Sequence, residues 1–227
     1  MIGDGLDRSA PLACSQQPTD KGENVIRLHD NFSSGNGYKV RLLLAQLGIP
    51  FERVEYDIDE AETRTLEFLE NVNLNGRVPV LETDDGSFLP ESNAILFYMS
   101  EGTAFIPNYR FGRAQILQWM FFEQYSHEPN IATLRFWTTH NIEMNEERRL
   151  SLETKRKLGY DALGVMEGHL RDRHFFVANR YSIADIALYA YTHVAHEGGF
   201  HLDGFPAIRA WLDRVREQPG HIRITQG

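Results

Sequence analysis

VIRLHDNFSSGNGYKVRLLLAQLGIPFERVEYDI, residues 25–58, holds a complete strand–helix–strand unit. Val25-Ile26-Arg27-Leu28-His29 is a short run rich in β-branched residues, and the punctuated stretch Ser33-Ser34-Gly35-Asn36-Gly37 follows it. From Tyr38 to Leu47 the apolar residues crowd one side, and Gly48 with Pro50 supplies a C-terminal stop. Phe51 to Ile58 then reads as a second strand. The unit is a βαβ crossover, the start of a sheet with helices laid on it.

Downstream, Thr63 to Asn71 reads as a short helix. Val78-Pro79-Val80-Leu81 turns through Asp84-Asp85-Gly86 into Ser87-Phe88-Leu89 as a hairpin, and Glu91-Ser92 opens a helix over Ala94 to Met99. The order βαβαββα therefore fills residues 25–101, and residues 102–110 form a proline-containing linker. Residues 111–227 read as an all-helical domain. Phe111 to His127 is one helix running to Pro129, Leu152 to Leu170 is another, and Ile183 to Ala195 is apolar around most of its circumference, as a central buried helix would be. Ser182-Ile183-Ala184-Asp185 is a capping-box start for that buried helix, and Pro206 and Pro219-Gly220 bracket the last one. Residues 1–24 carry no apolar periodicity and are expected to form a disordered or loosely docked extension.

Composition removes several classes of function. A net charge of −9 and a pI near 5.5, with no basic stripe, leave no footprint for nucleic acid. No apolar run approaches the roughly 18 residues of a membrane span, and the chain is expected in the cytoplasm. The single cysteine, Cys14, rules out an internal disulfide or a CxxC pair. No metal is expected: the zinc-protease spacing from His196 would need a histidine where Phe200 stands. The glycines at 35 and 37 fail the dinucleotide pattern because Val40 occupies the third position.

Three features bear chemistry. Pro79 interrupts a strand, either as an edge-strand residue or across a cis bond that frees the backbone of Val78 to pair with an extended peptide. Ser34 lies just before a helix, where a hydroxyl either caps the helix or donates to an anion at its positive end. Glu91-Ser92 is either an ordinary helix start or a carboxylate and hydroxyl placed to hold an amino-acid head group.

Together these residues resemble the cytosolic glutathione transferases, in a serine-type active-site form known from bacteria, over approximately Val25 to Arg223. Ser33-Ser34-Gly35-Asn36-Gly37-Tyr38-Lys39-Val40-Arg41, Asn75-Gly76-Arg77-Val78-Pro79-Val80-Leu81, Glu91-Ser92-Asn93-Ala94-Ile95 and Ser182 to Ala187 carry the resemblance, in the family's order. It implies an α/β thioredoxin-like domain joined to an all-α helical bundle, in a homodimer, with glutathione as cosubstrate. By match to the motifs, Ser34 would stabilise the thiolate, with Ser33 or Asn36 able to share the role. Val78 beside cis-Pro79 would contact the cysteinyl backbone, and Glu91 with Ser92 would hold the γ-glutamyl end. The resemblance further implies that the aromatic-rich helices of Phe111 to Trp137 wall a pocket for a small apolar electrophile, with Tyr125, His127 and Arg135 as candidate polar contacts. The expected activity is conjugation. Glutathione-dependent peroxidase, disulfide-reductase or dehalogenase chemistry on the same site, or a non-catalytic interaction module on the same fold, are the alternatives.

Overall fold

The computed structural model describes residues 26–226, so the extension expected at 1–24, with Cys14, lies outside the described residues. Strand β1 (Arg27–Asp30) runs parallel to β2 (Glu52–Glu55), with Leu28 opposite Arg53, and antiparallel to β3 (Val80–Glu82). A hairpin joins β3 to β4 (Phe88–Pro90), giving the order β2-β1-β3-β4. Helix α1 (Gly35–Leu47) crosses between the parallel strands and ends at Gly48, whose φ of 66° lets its N–H return to the carbonyl of Ala45. With α2 (Leu66–Asn71) and α3 (Ser92–Met99) these elements make the thioredoxin-like half. Leu28, Val40, Leu44, Leu81 and Ile95 form its small core between sheet and helices.

Two elements here are shorter than the sequence pattern predicts. β2 stops at Glu55 because the Asp57 carboxylate accepts the N–H groups of Asp59 and Glu60 and folds the chain into a turn. The helix read from Thr63 divides into a 3-10 turn at Glu62–Arg64 and α2, which Thr65 caps through Phe68 N–H.

The second half contains α4 (Arg110–Phe122), α5 (Glu128–Thr139), α6 (Glu146–Leu170), α7 (Ile183–Thr192) and α8 (Pro206–Arg216). Pro129 does not stop the chain as predicted. A π-helical turn over Glu123–His127 links α4 to α5, and Pro129 falls in the first turn of α5, where its missing N–H leaves nothing unpaired. Helix α6 starts before the predicted Leu152 because Asn145 caps it and Glu146 and Glu147 sit at its positive end.

All residues of α7 are buried, as its composition predicts. Its capping box is present and does more than cap. The Asp185 carboxylate accepts from Ser182 N–H and hydroxyl, from Phe176 N–H and from the Trp211 indole, so one group ties the start of α7 to α8 and to the preceding loop. The large core around α7 draws Ile186, Leu188 and Trp211 together with Tyr38, Leu42, Leu43 and Leu96 from the first half. The two halves thus share one apolar interior, and the start of α1 is held rigidly against the helical half.

Candidate functional site

Asn36, Val78, Pro79, Glu91 and Ser92, drawn from three separate motifs, line one narrow cleft of about 50 Å³. The Val78–Pro79 bond is cis. Glu91 enters α3 at φ 73° and ψ 110°, a region rarely occupied by a residue with a side chain and one that costs about 1–3 kcal/mol. Arg77 and Glu128 also face this cleft. Arg77 was within reach of the sequence, standing beside Val78-Pro79; Glu128 carried no signal, because nothing local tells that α5 returns to α1.

Ser34 does not itself line the cleft; it is the N-cap of α1, just ahead of Asn36 in the chain, its Oγ accepting the Gly37 N–H at 3.2 Å. Capping does not exhaust this side chain: a hydroxyl that accepts through a lone pair still has its own hydrogen to donate. Ser33 lacks that freedom, since its hydroxyl donates to Asn31 Oδ1 at 2.6 Å. Gly37 has to be glycine, because a Cβ there would collide with the Asp30 carboxylate. That carboxylate pairs with Arg41 at 2.9 Å, both side chains wholly buried, and Arg41 also donates to the carbonyls of Phe32, Ile224 and Gln226. The loop carrying Ser33 and Ser34 is thereby fastened to α1 and to the C-terminal tail.

Behind Ser92 lies a buried ion pair. Lys39 Nζ meets Glu123 Oε1 at 2.9 Å with neither side chain exposed, and lies 3.5 Å from Ser92 Oγ. Asn93 donates to Glu123 Oε2, and Ser92 Oγ donates to Asn36 Oδ1 at 3.2 Å. Asn36 in turn sends its side-chain amide to Glu128 Oε1 at 3.4 Å and its backbone N–H to the Tyr191 hydroxyl at 3.2 Å.

The residues expected to make polar contacts in an acceptor pocket are not brought together. His127 is fully buried, with Nε2 2.9 Å from the Thr192 hydroxyl. Tyr125 is 87% exposed. Arg135 pairs with Glu197 and donates to the Ser33 carbonyl, where it borders a second cleft of about 400 Å³ with Ser33, Asp57, Asp59 and His140. The aromatic wall expected from α4 and α5 is absent from it: Trp119 packs on Phe122, His169 and Phe176 in the interior, and Phe121 faces outward.

Burial and the nearby Lys39 push the His127 pKa down to about 3. An unfolded chain takes up a proton near the ordinary value of 6.5 that the folded chain refuses, so stability is present above that value and is lost as pH falls from 6.5 toward 3. Relative to His127→Gln, the wild type should lose about 1.4 kcal/mol per pH unit between about pH 6 and 4, measured by urea unfolding. Parallel pH profiles for the two proteins would show that His127 is not held neutral.

Family models describing the N-terminal and C-terminal domains of glutathione S-transferase match residues 24–101 and 119–219. A solved glutathione S-transferase from Pseudomonas fluorescens Pf-5 is 48% identical, with a TM-score of 0.85 over 89% of this chain and 100% of that one. The glutathione transferase URE2P6 of Phanerochaete chrysosporium, solved in complex with oxidized glutathione, is 25% identical, with a TM-score of 0.76 over 86% of this chain and 92% of that one. A dichloromethane dehalogenase of Methylorubrum extorquens is 32% identical over 200 residues, which is 80% of this chain and 67% of that protein.

Proposed function

This chain belongs to the glutathione S-transferase family, and on that premise we propose that it binds glutathione beside the start of α1 and directs the thiolate at a small electrophile. The observation that carries the reading is the Ser34 hydroxyl, free to donate, at the positive end of α1, whose first turn brings Asn36 into the cleft with Val78-Pro79, Glu91 and Ser92. In this reading the Val78 backbone pairs with the cysteinyl residue. Glu91 takes the ammonium of the γ-glutamyl group, the N–H groups at the start of α3 take its carboxylate, joined by the Ser92 hydroxyl once it turns from Asn36, and Arg77 takes the other carboxylate. Ser34 and the helix end then hold the sulfur as thiolate.

The acceptor reaches the sulfur from the second cleft. Its lining by Asp57, Asp59, Arg135 and His140 favours a polar acceptor over the apolar one expected from the family resemblance. That polarity also supports a second reading, reduction of a low-molecular-weight disulfide: the thiolate attacks one sulfur, a new S–S bond to glutathione forms, and the other sulfur leaves as a thiolate. The same reading makes the protein a cytoplasmic homodimer. Leu89, Phe97, Tyr98, Leu117 and Phe121 border an apolar groove of about 690 Å³ between α3 and α4, which a second copy would cover.

Calorimetric titration with glutathione and then with an S-alkyl conjugate tests the site. Binding of both is expected; binding of neither would favour a non-catalytic interaction module. Turnover of an alkyl halide against that of a mixed disulfide then separates the two reactions.

A further inference from the structure

We propose that Glu128, carried by the helical half, is a second recognition group for the α-ammonium of glutathione, closing on it opposite Glu91. The inference rests on the proposed binding of glutathione in this cleft. Its first support is position. Glu128 is the first residue of α5, directly after the π turn, and it faces the same narrow cleft as Asn36, Glu91 and Ser92. The added residue of a π turn rotates the succeeding helix by about 100° relative to an uninterrupted α-helix, and such turns cluster at functional sites.

The second support is a charge inventory. The cleft offers one cation, Arg77, and two carboxylates, Glu91 and Glu128. Glutathione at neutral pH carries two carboxylates and one ammonium, so the second carboxylate of the cleft is surplus unless the ammonium is gripped from two sides.

The third support is that Glu128 is under-partnered. Among the described residues the one hydrogen bond to its carboxylate is the long contact from Asn36, and no cation forms an ion pair with it. Lys39 of α1 is committed to Glu123, and Arg77 approaches from the loop before β3 without pairing. Glu123 and His127 of the π turn and Tyr191 of α7 complete the charged and titratable surroundings. Burial, and then the negative charge of Glu123, raise the Glu128 pKa. A carboxylate so placed gains more from a ligand's ammonium than an exposed one does.

The test compares glutathione with its glutaryl analogue, which lacks only the α-amino group, by calorimetry on the full chain at pH 7. Glu128→Gln keeps an acceptor for Asn36. It should weaken glutathione binding by about tenfold or more and leave the analogue's affinity unchanged. A Glu128→Gln variant with the wild-type Kd and the wild-type preference for the amine overturns the assignment. Glu91→Gln, at an exposed position, supplies an independent result should the first variant not fold. It should keep part of the preference for the amine, and complete loss of that preference would leave nothing for Glu128 to do. A wild type that binds no glutathione would instead remove the underlying reading.

Discussion

Replacing Ser34 with glycine should lower turnover at pH 7 by about 10- to 100-fold, with the loss recovered as the pH is raised. A free thiol titrates near 8.5, so at neutral pH the site has to favour the thiolate. A charge-assisted hydrogen bond from the Ser34 hydroxyl contributes about 1.5–3 kcal/mol of that preference, or one to two pKa units. Removing the donor moves the thiol pKa up by that amount, so the acid limb of the rate profile moves to higher pH and the gap closes near about pH 9. Glycine is the decisive replacement because Ser34 also caps α1. Alanine would cost about 1 kcal/mol of helix stability as well, whereas glycine at an N-cap costs only a few tenths. Ser34→Gly therefore isolates the hydroxyl's chemistry from its structural work, and thermal unfolding of both variants checks the separation. An unmoved acid limb would transfer the role to Asn36, since the Ser33 hydroxyl is already given to Asn31.

Much of the fold was legible because it rests on local signals. The run from Val25 to Ile58 fixes a crossover by its periodicity and its glycine and proline stops, and the buried character of α7 comes from a composition without a polar face. The gathering of Asn36, Val78-Pro79, Glu91 and Ser92 into one cleft was readable only through the resemblance of their motifs to the family, since each residue alone has an ordinary turn or capping reading. The features that escaped depend on pairs distant in the chain. Lys39 and Arg41 look, one residue at a time, like solvated positions on an amphipathic helix; they are buried because Glu123 and Asp30 meet them there. The π turn escaped for a related reason. Pro129 is a stop in local terms and becomes a helix start only once five preceding residues widen the turn. Glu128, the first residue of α5, follows that turn directly and escaped with it.

The Lys39–Glu123 pair yields the largest expected effect on stability. Lys39→Met should destabilise the fold by about 3–5 kcal/mol in urea unfolding, a third or more of the total stability of many domains, because it strands Glu123 as an uncompensated charge in the dry interior. Glu123→Leu should do the same by stranding Lys39. Joined in one protein, the two changes remove both charges and most of the penalty, since a buried pair commonly does no better than apolar residues of similar volume. Glutathione binding should not recover with stability. Lys39 Nζ also approaches Ser92 Oγ, and Asn93, beside Ser92, donates to Glu123, so the pair fixes the first turn of α3 against α1. The double variant is thus expected to fold with near wild-type stability and yet bind glutathione several-fold more weakly. Equal affinity in a stable double variant would show that the ion pair serves the fold alone. A double variant as unstable as either single one would show that the charges contribute through Asn93 and Ser92 more than through each other.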